Sequence, residues 1–161
     1  MHCGQRLMTA IPEGDSRRRM VCMDCGFIHY INPRPVAGTI PVRVSDGHVL
    51  LTRRAIEPRI GSWVFPGGFM DVGETAEEAA TRETLEEANL HVNNLRLVGV
   101  YTRSEPGVVV IVYAGDAISE ATAGEETSEV RWFHPDDLPW DELAFDSTTS
   151  ALRDWFDGRS V

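Results

Sequence analysis

The chain contains no lysine; all 15 of its basic residues are arginine. Against 25 acidic residues this leaves a formal net charge of -10, which argues against broad, unspecific binding to nucleic acid or to an anionic membrane. A phosphorylated small substrate stays open, because a bound divalent cation would reverse the local field. The missing lysine itself reads as the base composition of the source genome, with adaptation to salt as the other explanation. Long apolar runs are lacking too. The longest, Val108 to Ala114, falls far short of the ~20 residues that a membrane helix needs. The N-terminus, MHCGQRL, has no apolar signal region, so a cytoplasmic protein is expected. Cysteine is scarce: three residues, an odd count, are too few for a disulfide scaffold.

What is present suffices for one domain with a sizeable core, given 161 residues of which 42% are apolar. The most informative stretch is Gly67 to Leu90, GGFMDVGETAEEAATRETLEEANL. A glycine pair leads into an acidic loop, and a segment of helical composition follows. If residues 75–89 are helical, with Thr75 as cap and Glu77 and Glu78 at the positive end, then Glu83, Glu86 and Glu87 stand at i, i+3 and i+4. All three then project from one face. Like charges so spaced repel by ~0.3 kcal/mol a pair, and the one nearby cation is Arg82. Three carboxylates aimed at one point make a hard-oxygen site suited to Mg²⁺ or Mn²⁺. The bland alternative, a solvated acidic face, does not explain why glycines, arginine and carboxylates keep one register.

The first 31 residues have a different character. Cys3-Gly4 and Cys22-x-x-Cys25-Gly26 read as two knuckles of a small zinc ribbon, each a tight turn ending in glycine. The cysteine that would complete the first knuckle falls before Met1. His2, His29 or the terminal amine could take its place, an upstream start could supply it, or the knuckle is degenerate and metal-free. A redox role is disfavoured because Cys22 does not open a helix after a strand.

Downstream, strands are expected over 36–44, 49–54, 63–65, 95–102, 108–114 and 130–133. The strand at 108–114 is apolar on both faces and therefore interior. Residues 119–128 read as an acidic loop, 135–138 as a turn or single helical turn, and 146–156 as a final helix. Phe145, Ala151, Leu152, Trp155 and Phe156 are its apolar contacts.

The stretch from Gly68 resembles the signature of the Nudix hydrolases, G-x5-E-x7-R-E-U-x-E-E-x-G-U with U bulky and aliphatic. Gly68, Glu74, Arg82, Glu83, Glu86, Glu87 and Leu90 fall in place. Thr84 stands at an aliphatic site and Asn89 at the second glycine; asparagine is the residue best able to replace glycine in a left-handed helix end. The ribbon, a Y-x-N-P connector, and VRWF and LAF near the end extend the similarity over nearly the whole chain, toward zinc-ribbon relatives that cleave ADP-ribose or FAD. The resemblance implies an α/β fold, a Nudix-type α/β/α sandwich with a mixed sheet over residues 32–161, preceded by a zinc-ribbon-like segment at residues 1–31.

The resemblance also implies divalent-metal-dependent hydrolysis of a nucleoside diphosphate linked to another moiety. Glu83, Glu86 and Glu87, with Gly68, would hold the metal. Arg82 would orient them by reaching Glu86 and Glu78, and Glu74 would position the others or act as general base. Gly67 or Gly68 would let backbone approach closely. A further base is expected from a loop outside the box: Glu126, with Glu125 and Glu129 behind it. Arg53 and Arg54 either contact the diphosphate or cover the sheet edge. Trp63, Phe27 or Tyr30 either stacks on an adenine or belongs to the core. No SQPWPFP-like motif of NADH-cleaving relatives is present, and Pro106 lies sixteen residues past Leu90 as in ADP-ribose-cleaving ones, although Pro106-Gly107 also suits a hairpin turn. ADP-ribose is therefore favoured, FAD is second, and a nucleotide-sensing regulatory module is the alternative from another class. Relatives of this kind imply a homodimer.

Overall fold

The computed structural model describes residues 3–103 and 107–158; Pro106, invoked above for substrate choice, lies outside them, as does His2. The chain divides into two compact units, Met1–Pro33 and Arg34–Val161.

In the first unit β1 (Leu7–Ala10), β2 (Arg19–Cys22) and β3 (Ile28–His29) form a three-stranded antiparallel sheet. Its turns use glycines with positive φ at Gly4, Gly14 and Gly26, where L side chains would be strained.

The second unit is built on a sheet with the strand order β10-β5-β4-β9-β8. Its strands are β4 (Arg34–Arg43), β5 (Val49–Arg54), β8 (Val92–Arg103), β9 (Val108–Ala117) and β10 (Thr127–Phe133). Two short strands, β6 (Trp63–Val64) and β7 (Gly67–Phe69), pair with β5 and β4. The sheet is mixed because β4 and β9 run parallel while the other pairs are antiparallel. Apolar on both faces and flanked on both sides, β9 is interior, as its composition predicts.

One helix covers each face. Even-numbered residues of β4 and β9, among them Ile40, Val110 and Val112, form one cluster with Ala151 and Leu152 of α2 (Asp146–Phe156). Odd-numbered Ala37 and Tyr113 pack with Ala79 and Ala80 of α1 (Ala76–Ala88). Period-two alternation on the strands thus sends one set of residues to each helix. The α/β/α sandwich follows from two strands, each apolar on both faces, sharing a sheet. Phe156, expected as an apolar contact of α2, is 49% exposed, because it lies at the end of the helix, past the stripe through Ala151 and Leu152.

Three local readings change. The glycines after Pro66 do not merely stop a strand; Gly67 and Gly68 pair with Gly38 and Ala37 of β4. The acidic loop ends earlier than expected, since β10 begins at Thr127. Finally, Glu78 is not a partner of Arg82. Its carboxylate accepts from the Thr75 backbone at 2.8 Å, and the Thr75 hydroxyl caps the Glu78 N–H at 3.2 Å. This reciprocal capping box removes Glu78 from the face on which Arg82 works.

Candidate functional site

Helix α1 begins at the capping box and ends at Asn89, whose φ of 47° and ψ of 31° are left-handed. Asn89 does what a glycine there could not. Its side-chain amide donates to the carbonyls of Thr122 and Ala123 at 3.2 and 3.4 Å. The Thr122 and Gly124 N–H groups in turn satisfy the carbonyls of Ala88 and Glu87 at 2.8 and 2.9 Å. The acidic loop is therefore the C-terminal cap of the helix that carries the glutamates. Thr84, at the aliphatic box position, is fully buried and returns its hydroxyl to the Ala80 carbonyl at 2.7 Å, so no donor is stranded.

Arg82 holds the acidic face together. Its guanidinium donates to both oxygens of Glu74 at 2.8 and 3.1 Å, to Glu83 at 2.7 Å, to Glu86 at 3.2 Å and to the Phe69 carbonyl at 3.1 Å. These five contacts use the full fork of donors. Glu74 also accepts from the Asp71 N–H at 2.5 Å. Arg82, and then that N–H, hold its carboxyl below the usual carboxylate range. Both oxygens of Glu74 are thus engaged and its charged form is favoured.

Glu83 and Glu87 point the other way. Burial raises the Glu83 carboxyl, with the charges of Glu86 and Glu126 adding to it and Arg82 opposing. Glu87 is pushed up to about 7, first by burial and then by the charge of Glu83. It accepts from the Thr52 hydroxyl at 3.3 Å and from the Gly67 backbone, and no cation forms an ion pair with it among the described residues. Paired buried acids of this kind are relieved by a bound cation. Hard oxygen donors suit Mg²⁺ or Mn²⁺, so the residues present fit such an ion. Among the described residues, however, no three carboxylates approach one another as closely as the three thiols of the first unit do; the Arg82 guanidinium lies between Glu83 and Glu86. Gly68 explains why Glu83 can lie where it does: a Cβ on Gly68 would come within 2.5 Å of the Glu83 carboxylate.

Gly68, Arg82, Glu83, Glu86 and Glu87 line a cleft of about 830 Å³, whereas Glu74 is not among its lining residues. Glu125 and Glu126 enter it from the loop, and Glu126 is fastened by its carbonyl to the Ala55 N–H at 3.0 Å. Glu129 does not enter: it pairs with Arg53 at 3.5 Å and with Arg131. The two candidate substrate arginines separate likewise, as successive residues of a strand must. Arg54 lines the cleft, bonded to the Pro58 carbonyl at 2.7 Å. Arg53 is not among the cleft residues; it donates to the Gly61 carbonyl at 2.8 Å and lies over the Trp63 ring. Trp63 is 2% exposed and packs edge-to-face on Phe133, so it belongs to the core.

Another part of the cleft lining was not legible in the sequence. It comprises Arg34, Val36, Phe69, Val108 and Val110, with Phe145, Ser147 and Thr148 at the start of α2. Arg34 lies over the Phe69 ring at 4.2 Å. Phe69 sits at an unspecified position of the box, and the only advance signal for the others is the strand register that pairs Arg34 with Val108 and Val36 with Val110.

In the first unit the sulfur atoms of Cys3, Cys22 and Cys25 lie within 4.8 Å of one another, and no fourth metal-binding side chain joins them among the described residues. Cys3 and Cys22 are 3.3 Å apart. The Phe27 N–H, followed by the two neighbouring thiols, lowers Cys25 to about 7, which favours the thiolate that binds zinc. His29 is not one of the cluster. It lies on β3 opposite Met20.

Comparison with known proteins finds matches along both parts of the chain. A model described as NUDIX domain matches residues 32–156, and a zinc-ribbon model described as Nudix N-terminal matches residues 1–31. An ADP-ribose pyrophosphatase of Methanocaldococcus jannaschii is 41% identical over 106 residues, 63% of this chain and 62% of that protein. An NAD-capped RNA hydrolase NudC of Vibrio vulnificus is 31% identical over 126 residues, 74% of this chain and 46% of that one. The chain thus spans less than two thirds of the length of either relative. A crystal structure of a NUDIX hydrolase from Nitrosomonas europaea superposes with a TM-score of 0.90 at 38% identity, covering 98% of this chain and 89% of that one.

Proposed function

The chain belongs to the Nudix family, and from that premise we propose that it hydrolyses the pyrophosphate bond of a nucleoside diphosphate linked to a second moiety, with ADP-ribose, cleaved to AMP and ribose 5-phosphate, as its substrate. The observation that carries the reading is that one cleft is lined both by the carboxylates of α1 and by aromatic and aliphatic residues. One part can take the diphosphate and the other the nucleoside. The 41% identity to a protein named ADP-ribose pyrophosphatase supports the choice of substrate, as does the missing NADH-type motif.

Glu83, Glu86 and Glu87, with the Gly68 backbone, would hold a divalent cation. When bound, that ion neutralises phosphate oxygens and lowers the pKa of a water. The chain's own residues do the rest. Arg82, itself fixed by Glu74, sets the positions of Glu83 and Glu86. Arg54 faces the negative diphosphate from the cleft wall. Glu126, on the loop that caps α1, takes the proton of the water that attacks phosphorus. One P–O bond of the bridge breaks as the new one forms, leaving one phosphate on each product. The three thiols of the first unit would hold a structural zinc.

Purified protein in Mg²⁺ or Mn²⁺, assayed for AMP release from ADP-ribose, FAD and NADH, is expected to prefer ADP-ribose, and Glu86→Gln is expected to abolish turnover. No turnover of any nucleoside diphosphate compound would sink the proposal and favour a nucleotide-sensing module.

A further inference from the structure

The three sulfurs of the first unit are not equivalent. Cys3 and Cys25 are exposed, whereas Cys22 is 2% exposed. Cys22 closes β2, where it pairs with Leu7 of β1. Its N–H donates to the Phe27 carbonyl at 2.8 Å, and its carbonyl accepts from the Gly26 N–H at 3.0 Å. The buried sulfur is therefore fixed by the sheet and the turn around it. Cys3, 19 residues away in sequence, brings its own sulfur to 3.3 Å from that of Cys22. Tetrahedral ligation with bonds of about 2.3 Å would space two sulfurs roughly 3.8 Å apart, so this pair lies closer than shared metal binding requires.

Two thiols so placed can also bond to each other. A disulfide needs sulfurs about 2.05 Å apart, a further approach of roughly 1.3 Å that the exposed Cys3 side chain can make. The C-x-x-C spacing would instead join Cys22 to Cys25, closing a ring of four residues within the turn that the Gly26 and Phe27 hydrogen bonds already hold. A Cys3–Cys22 bond closes a loop of about 20 residues, and the stabilisation from a cross-link grows with the loop it closes. It also joins the lead-in of β1 to the end of β2, which the sheet already sets side by side. Cellular thiol pools keep such pairs reduced, so the bond forms only when an oxidant reaches it. Exposure gives an oxidant its access at Cys3 and leaves the buried Cys22 to react second.

Taking its starting state from the zinc reading above, we propose that Cys3 and Cys22 form a hydroperoxide-sensitive dithiol, a modification site at which oxidation joins the two sulfurs, leaves Cys25 as a single thiol and discharges the zinc. The Cys3 thiolate attacks one peroxide oxygen. The O–O bond breaks, Cys3 becomes a sulfenic acid, and the other oxygen leaves with a solvent proton as an alcohol or water. The Cys22 thiolate then attacks the Cys3 sulfur. The S–S bond forms, the S–O bond breaks, and hydroxide leaves with a solvent proton as water. Two electrons thus pass from the two sulfurs to the peroxide. One remaining thiolate is too few to hold zinc, and a dithiol reductant with added zinc restores the first state.

The test treats the full, zinc-loaded chain with a few-fold excess of hydrogen peroxide, follows zinc with a chromogenic chelator, and maps disulfide-linked peptides by mass spectrometry after free thiols are alkylated. A Cys3–Cys22 disulfide is expected, with Cys25 alkylated and about one zinc lost per disulfide formed. Dithiothreitol and Zn²⁺ should return all three thiols and the bound metal. Cys25→Ser should still form the same bond, and the wild-type map decides the matter if that variant does not fold. All three thiols alkylated after treatment, a bond from Cys25 in place of the Cys3–Cys22 bond, or sulfinic acid on Cys3 with no disulfide would overturn the assignment. A Cys3–Cys22 bond in a chain that never takes up zinc would overturn the zinc reading and leave the dithiol standing. Zinc that is bound and then survives peroxide with every thiol intact would overturn the dithiol alone.

Discussion

Alanine at Gly67 and at Gly68 should fail in different ways, although the residues are adjacent on one three-residue strand. At Gly68 the three atoms nearest the added Cβ all belong to the carboxylate of Glu83, at 2.5 Å. That group ends a flexible side chain. To regain ordinary contact at 3.4 Å it must retreat by about 1 Å, leaving the backbone in place. If Glu83 holds the cation as proposed, displacement by that amount costs roughly 100-fold in rate, about 2.7 kcal/mol in the barrier. At Gly67 the Cβ meets the Cα of Gly38 at 2.7 Å and the Ala37 carbonyl at 2.8 Å. Both belong to the central strand β4 and cannot turn aside, so β7 must separate from it. Overpacking of this kind costs about 1–3 kcal/mol of stability. Urea denaturation and steady-state AMP release from ADP-ribose, measured on both variants, check the contrast. Gly68→Ala should keep its unfolding midpoint and lose activity, and Gly67→Ala should lose stability. A Gly68→Ala enzyme within about twofold of wild-type kcat/KM, or an unshifted midpoint for Gly67→Ala, would refute the reasoning.

Other perturbations probe the acidic face and the ribbon. Glu87 titrates near 7 in the folded chain against an ordinary 4.5; between those values the folded protein holds a proton that the unfolded chain has released, so metal-free stability falls as pH rises through that window. Glu87→Gln should therefore raise metal-free stability in EDTA at pH 8 by about 3 kcal/mol, read as a higher Tm, and the gain should shrink toward nothing near pH 4.5; a gain independent of pH would argue against the burial account. Added Mg²⁺ should raise wild-type Tm more at pH 8 than at pH 6. Arg82→Ala, which strips Glu74, Glu83 and Glu86 of their shared cation, should cost about 1–3 kcal/mol in metal-free urea unfolding, and Mg²⁺ should restore part of that loss. Cys22→Ser should lower bound zinc, measured by elemental analysis, from about one per chain to well below it, and proteolysis should then cut preferentially within the first 33 residues.

Several features were decided along the chain itself. Helix α1, its Thr75 cap and its left-handed end at Asn89 follow from residues within one or two turns of each other, where capping and steric rules act without reference to the rest of the fold. The same holds for the alternation that sends Ile40 and Ala37 to opposite helices, and for the glutamates at i, i+3 and i+4. What the tertiary structure alone decided are relations between residues far apart. Arg82 abandons Glu78 for Glu74 because the capping box claims Glu78 first. Asn89 ties the acidic loop to the helix and so delivers Glu126 to the cleft, while Glu129, only three residues on, turns away to Arg53. Arg53 and Arg54 look interchangeable in sequence, yet the pleat of β5 gives the cleft to one of them. The other part of the lining, from Arg34 and Phe69 to Thr148, needs four segments brought together by the parallel pairing of β4 with β9. Local rules govern contacts a few residues apart; which side chains share a cleft depends on sheet order and register, set by burial of the whole core rather than by any one stretch.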